Sequence, residues 1–346
     1  MCFRPKLRRI NTLCSSCWLA QRQLGGVQLA ETKISWTHTR TADGRLVPGY
    51  TFNPWIGCMK VSPACDGCYA ENLMAYRYKR VEWGAPGVGI GTRSRTSASN
   101  WYNPIRWNKK AAIAETRPFV FCASLSDVFD KAVPVNWRRD LFLLIRSTPH
   151  LVWMLLTKRP QNIIAMSADA GGLPENVALG TTCEDQKRWD INVPALIEAK
   201  WELKPLFAFV SAEPLLGEIR ARAAPIPFSL KSWFRKGALD FDPLSPAQHP
   251  LMRIDQIITG GESDQGTFRA RPSNPQWYRY FRDDCAATGT VYHHKQNGEW
   301  VSVSEVAGEG EHFTFPDGRT VRRIGAAKSG RTIDGVEHLG HFEVAA

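Results

Sequence analysis

Short apolar runs recur along the chain from Glu31 onward, each ending in polar residues, and stretches with helical spacing separate many of them. The pattern predicts a first strand region at Ile34–Trp36 and Tyr50–Ile56. Further strands follow at Phe119–Ala123, Leu151–Leu156, Val177–Leu179, Leu206–Val210, Ile254–Thr259 and Val291–His293. Between them it predicts helices over Cys68–Tyr78, Trp137–Ser147, Asp185–Ala199 and Pro275–Ala287. The last opens with Asn274 ahead of Pro275, a cap followed by a first-turn proline. Strands alternating with helices argue for an α/β fold with a parallel sheet. The run of such units is longer than an ordinary open sheet needs. A complete or partial (β/α) barrel is therefore the first expectation and a doubly wound open sheet the second, because periodicity alone does not separate them.

Two stretches interrupt the pattern. Val81–Trp107 is rich in Gly, Arg and Ser and reads as a long surface loop, and Ala221–Pro250 mixes prolines with Lys231, Trp233, Arg235 and Lys236 and reads as an insertion. The barrel is expected over residues 31–300, with 301–346 as a small C-terminal appendage of glycine, charge and short β-prone runs. Residues 1–30 differ from the rest. They carry five Lys/Arg and no acid, and Cys14-Ser-Ser-Cys17 stands there without a second pair nearby. A disordered leader or sequence upstream of the true start is expected, with a redox or zinc CxxC as the alternative.

The net charge of +11 sits mainly in the middle, where residues 31–300 hold 34 basic against 26 acidic groups; residues 301–346 are slightly acidic. A basic middle fits a partner bearing phosphates, and it also fits simple solubility. No apolar run is long enough to span a bilayer, and no secretory segment is legible, so a cytoplasmic setting is expected. In that compartment nine cysteines point to metal or chemistry rather than disulfides.

The strongest local signal is Asn53-Pro-Trp-Ile-Gly-Cys58-Met-Lys-Val-Ser-Pro-Ala-Cys65-Asp-Gly-Cys68-Tyr-Ala-Glu71, with cysteine spacing C-x6-C-x2-C. Gly57, Pro63 and Gly67 make the segment a turning loop that can aim Cys58, Cys65 and Cys68 at one centre. Three thiolates on a [4Fe–4S] cluster leave one iron open to a substrate or to S-adenosylmethionine (SAM). The alternative is zinc with a fourth ligand from elsewhere, for which Cys122, Cys183, His293 and His294 are candidates.

Polar groups also follow each predicted strand. They include Asp127, Lys158-Arg159, Thr181 within Gly180–Glu184, Glu213, Gly260-Gly261-Glu262 and Lys295. In a parallel barrel these ends converge on the face where active sites lie. Each has a bland counterpart as a turn cap, a solvated pair or a tight turn. Placed together, Glu213 and Glu262 suit an amino group, and Lys158, Arg159 and Lys295 suit a carboxylate or phosphate. Trp83, Trp101 and Trp107 flank an arginine-rich stretch, where base stacking competes with ordinary core packing.

With these residues in hand the chain resembles a bacteriophage and prophage family named for phage gene products 37 and 68. The matching signatures are Ile34-Ser-Trp-Thr-His38, Asn53–Cys58, Lys60-Val-Ser-Pro63, Cys65–Glu71, Phe121–Phe129, Leu155–Pro160, Ser211–Gly217, Gly260-Gly-Glu-Ser263 and Lys295–Trp300. The resemblance implies a radical-SAM-like barrel, a three-cysteine cluster loop and a separate three-Cys-motif partner protein. Its motifs depart from the common radical SAM pattern in the x6 spacing, in Gly67 rather than an aromatic before the third cysteine, and in a Gly-Gly-Glu stretch that comes late. The expected cofactors are a [4Fe–4S] cluster on Cys58, Cys65 and Cys68, and SAM held by residues among Asp127, Lys158, Arg159, Thr181, Glu213, Gly260, Gly261 and Glu262. The expected function is a radical SAM enzyme acting on nucleic acid or a nucleotide. The alternative is a non-catalytic, zinc- or cluster-stabilised nucleic-acid-binding module that works with its partner.

Overall fold

The computed structural model describes residues 31–41 and 43–344. The expected leader and Cys14/Cys17 lie outside the described residues. The described residues belong to one compact unit.

Seven parallel strands form one sheet: β1 (Tyr50–Thr51), β2 (Phe119–Cys122), β3 (Val152–Thr157), β4 (Val177–Thr182), β5 (Ala208–Ala212), β6 (Gln256–Gly260) and β7 (Val291–Gln296). Their spatial order is their sequence order, and each pairs in parallel with the next. That order decides between the two expectations. A doubly wound sheet reverses direction at a switch point, and this one never does. Right-handed crossovers that always advance the same way put their helices on one face and curl the sheet into a half-barrel. The crossovers carry α1 (Ala98–Ile113), α2 (Val135–Arg146), α3 (Ile163–Asp169), α4 (Gln186–Leu203) and α5 (Pro275–Thr288).

The β5–β6 crossover departs from this plan. It consists of 3-10 turns at Phe228–Trp233 and Pro250–Met252 and a two-residue ladder of Ala224–Pro225 with Asp240–Phe241, in keeping with the insertion expected there. α4 holds it in place. The Trp189 indole donates to the Ala223 carbonyl, and the buried Lys200 ammonium donates to Pro250 O, Arg253 O and Asp255.

Inside the curl the side chains alternate with period two. Phe119 and Phe121, Val152 and Met154, Ala178, Phe207, Phe209 and Ile258 form one buried cluster with Trp36. Gly180 is required within it, because a Cβ there would lie 2.3 Å from the Phe209 ring. An open half-barrel needs a plug, and chain ends supply it: Ile34 and Trp36 from one side, Phe342 and Val344 from the other. Phe342 stacks on Phe207 with ring centroids 4.1 Å apart.

Four sequence expectations change here. Ile34–Trp36 is no strand: Ser35–Thr37 is a 3-10 turn closed by the Thr37 hydroxyl on Ile34 O. Part of the expected 81–107 loop is α1, which begins at the Ser97 cap and continues through Pro104. The expected helix Cys68–Tyr78 is one α turn, Tyr69–Glu71, followed by a π-helical turn over Asn72–Arg77. The tail contributes to the barrel rather than hanging from it. After an antiparallel sheet of Trp300–Ser302, Thr320–Arg323 and Glu311–Thr314, it returns to bridge β7 at His293–Leu339. No helix among the described residues is long and apolar enough to cross a membrane.

Candidate metal centre

The cysteine loop leaves the C-terminal end of β1 and is pinned before the first cysteine. Asn53 accepts from the Leu125 amide at 2.8 Å, and Gly57 donates to Leu125 O. Gly57 adopts φ +102, and a Cβ there would lie 2.2 Å from Thr92 O, so only glycine fits. A hairpin of Trp83–Ala85 and Gly89–Gly91 rides on the loop through Gly84, which bonds Cys58 O and Lys60 N. Gly67 is fixed by packing, since its Cβ would lie 2.5 Å from the Phe268 ring.

Cys58, Cys65 and Cys68 line one cavity of ≈140 Å3 at the C-terminal ends of β2, β3 and β4. All three are free thiols. The wall opposite them carries Ser124, Ser126, Asp127, Lys158, Arg159 and Thr182. Asp127 organises it, accepting from Arg159 Nη1 at 2.8 Å, the Thr157 hydroxyl at 2.8 Å and the backbone amides of Lys158 and Phe129. Arg159 in turn reaches Met59 O at 2.7 Å and Cys58 Sγ at 3.5 Å, and so orients the first cysteine.

Charge in this cavity is unbalanced in a telling way. Burial pushes the Cys58 thiol up to about 12, against the pull of Arg159, and burial raises Cys68 as well. These thiols are protonated at neutral pH, and a metal that ligates them must displace the protons. Burial alone would lower the Lys158 ammonium, yet the sulfurs of Cys65, Cys68 and Cys58, once ionised, and the Glu184 carboxylate hold it above the ordinary lysine value. Glu184 is buried. One of its oxygens accepts from the Ala64 amide in the cysteine loop, and the other has no hydrogen-bond partner.

The remaining expected ligands are elsewhere. Glu213 lies over Gly260, where a Cβ would come within 3.0 Å of its carboxyl, and it pairs with Lys295. Gly261 is crowded by Asn297 O. Glu262 holds Arg271 through both oxygens, and Arg271 extends to Pro63 O at 2.9 Å and Asp66 at 3.2 Å. Glu262 thus braces the cysteine loop from outside the cavity. Thr181 is turned away from the cavity and donates to Thr157 O; its neighbour Thr182 faces in. The reason is the pleat: Ala178, Gly180 and Thr182 share the inner face, and a shift of one residue changes sides. The sequence pattern does not reveal Arg271, whose loop partners Pro63 and Asp66 lie about 200 residues from it along the chain, and shows Glu184 only as one polar group in a run.

Donor chemistry tests which group fits. The zinc candidates do not complete a site. Cys122 and Cys183 are buried and do not line the cavity, His293 bonds Ser35 and Gly340 O, and His294 bonds Thr259 and Asn297. Among the described residues no group of three or more His, Cys, Asp or Glu is placed to hold a metal ion. A single zinc needs its sulfur donors about 2.3 Å away on every side. A cubane presents a different iron to each thiolate and spans donors further apart. Three thiols around a shared volume, with Lys158 and Arg159 beside them to offset negative charge, make a soft donor set. A larger cavity of ≈640 Å3 lies on α4 and the insertion, lined by Asp190, Glu218, Arg220 and Asp240, and it holds no thiol.

No curated protein and no solved structure matches the chain. A family model does: residues 31–341 match the one described as Protein of unknown function (DUF5131), and the chain belongs to that family.

Proposed function

We propose that this protein is an iron–sulfur enzyme of the radical-SAM-like kind, carrying a [4Fe–4S] cluster on Cys58, Cys65 and Cys68. The observation that carries the reading is the shared cavity, where three free thiols face a lysine with no hydrogen-bond partner for its ammonium among the described residues. Bound there, the cluster would supply an open iron and one electron for the reductive cleavage of SAM. The chain's own residues would do the rest. Lys158 compensates thiolate charge and is placed to meet a carboxylate. Asp127 holds Arg159, and Arg159 holds Cys58. Arg271, clamped by Glu262, fixes the outer side of the loop. The motif resemblance to the phage gene product 37 and 68 proteins supports the same reading, with a nucleic acid or nucleotide substrate, a three-Cys-motif partner and a setting in the cytoplasm of a bacterial host.

Anaerobic reconstitution with iron and sulfide, followed by EPR of the reduced protein with and without SAM, tests it. The expected result is a [4Fe–4S] signal that changes on adding SAM and is absent in Cys58→Ala. Zinc uptake with no cluster signal would sink the enzyme reading and leave a metal-stabilised binding module in its place.

A further inference from the structure

Directly after Cys68 the chain makes an unusual exit. The turn over Asn72–Arg77 is π-helical, closed by Tyr78 N on Leu73 O, and such turns concentrate at functional sites. It ends at Lys79 with φ +50, a left-handed position that usually takes glycine. The residues around it are Tyr76-Arg77-Tyr78-Lys79-Arg80, five consecutive exposed positions with Tyr76 66% and Tyr78 54% accessible. Arg77, Lys79 and Arg80 have no ion-pair partner among the described residues; the Arg77 guanidinium lies 5.6 Å over the Tyr78 ring. Other surface arginines are ion-paired, among them Arg95 with Asp140, Arg222 with Asp242, and Arg279 and Arg282 with Asp334, while Arg106 and Arg235 are exposed without an ion pair among the described residues.

Tyr76 also belongs to a second cavity, of ≈450 Å3, and Cys68 is in the wall of both cavities. Asn72, Gln265 and Thr267 line it with amide and hydroxyl groups, beside the Lys60–Glu71 ion pair. Donors and acceptors in such a mixture match the edge of a nucleobase. An aromatic and cationic strip leading to an amide-lined cavity is the arrangement that grips a single strand and takes in one base. A duplex cannot present an unstacked base, and an acidic peptide or a bilayer leaves the amide-lined cavity unmatched.

We propose that the substrate class is single-stranded nucleic acid. Its phosphates run along Arg77, Lys79 and Arg80, its bases stack on Tyr76 and Tyr78, and one base enters the cavity beside Cys68. The proposal rests on the cluster reading for the reaction but not for binding.

Fluorescence anisotropy with short labelled single strands of DNA and of RNA, and with the matching duplex, tests it on the full chain. Single strands should bind more tightly than duplex, and the two single-strand arms tell which nucleic acid is preferred. In Arg77→Ala/Lys79→Ala/Arg80→Ala the slope of log affinity against log salt should fall by about 2, from three lost phosphate contacts. Tyr76→Ala/Tyr78→Ala should weaken binding by about thirtyfold or more with the salt slope unchanged. Lys231→Ala/Arg235→Ala/Lys236→Ala removes the same charge from the insertion and should leave affinity within about twofold, because screened charges at a distance contribute little. Absence of binding, equal affinity for duplex, an equal loss in the insertion variant, or equally good competition by polyglutamate would overturn the proposal. A protein without Cys58, Cys65 and Cys68 that still binds the strand separates it from the cluster reading; a reconstituted cluster with no strand binding refutes this proposal alone.

Discussion

The two halves of the barrel mouth are built from similar residues and use them in opposite ways. At the ends of β5, β6 and β7 every charged group named above is spoken for: Glu213 by Lys295, Glu262 by Arg271. At the ends of β2, β3 and β4 Asp127 and Arg159 engage each other, and the remaining groups are left open. Three thiols are free, the Lys158 ammonium faces them without a hydrogen bond, and Glu184 keeps one buried oxygen unpaired. An unpaired buried polar atom costs about 1–3 kcal/mol. The Tyr278 hydroxyl beside Gly261 is also buried without a hydrogen bond, so what separates the two halves is the set of free thiols facing an unbonded ammonium rather than one orphaned oxygen. The residue type alone, a carboxylate or a lysine after a strand, carries no such distinction.

The sharpest way to break the comparison is Asp127→Ala. Asp127 is the one fully engaged acid in the open half, with four donors on it, and Arg159 has only 12% of its side chain exposed. Removing the carboxylate strands that guanidinium and frees Cys58. We expect a loss of about 3–5 kcal/mol, the usual cost of breaking a buried pair from one side, read as a lower urea midpoint. Cluster uptake should fall with it. If stability changes by less than about 1 kcal/mol, as for a surface pair, the open half is not anchored by Asp127.

Much of this was legible in the chain, and the failures have physical causes. The strand spacing and the C-x6-C-x2-C motif are local, and local patterns survive in sequence. Asp127, Lys158 and Arg159 were found because they follow strands, and all three meet the thiols. Thr181 failed on parity: with both Thr181 and Thr182 at the end of β4, only the inward phase of Ala178 decides which faces the cavity. α1 was read as loop because Pro104 and the Ser-rich start hide a helix that Ser97 caps. Glu262 reads as a ligand in the sequence because its Gly-Gly-Glu setting does not show that Arg271, nine residues on, occupies both of its oxygens and carries the link on to Asp66.

Acid should loosen the closed half. His294 on β7 is fully buried, bonded to Thr259 and Asn297, and burial lowers it from 6.5 to about 4. The unfolded chain takes up its proton near pH 6.5 and the folded chain only near 4. The contribution is therefore intact above pH 6.5 and is lost as pH falls through the window between those values. The lowering corresponds to on the order of 3 kcal/mol at pH 4. Urea midpoints measured across that window should fall in the wild type and fall less steeply in His294→Asn. Parallel slopes for the two proteins would remove His294 from the account.

The smallest expected effect discriminates best between a closed half and a ligand site. Lys295 and Glu213 form an ion pair with 31% and 16% of their side chains exposed. If the pair is structural, Glu213→Gln, Lys295→Met and the double variant should give a coupling of about 0.5–1 kcal/mol in urea denaturation. Neither single change should alter the EPR response of a reconstituted cluster to SAM. If Glu213 instead releases Lys295 to hold the SAM amino group, Glu213→Gln would abolish that response while costing little stability. The second outcome would make the closure of this half a resting state that the cofactor opens. The first would confine cofactor contacts to the ends of β2, β3 and β4, where Thr182 and Lys158 are the inward-facing side chains with free polar groups.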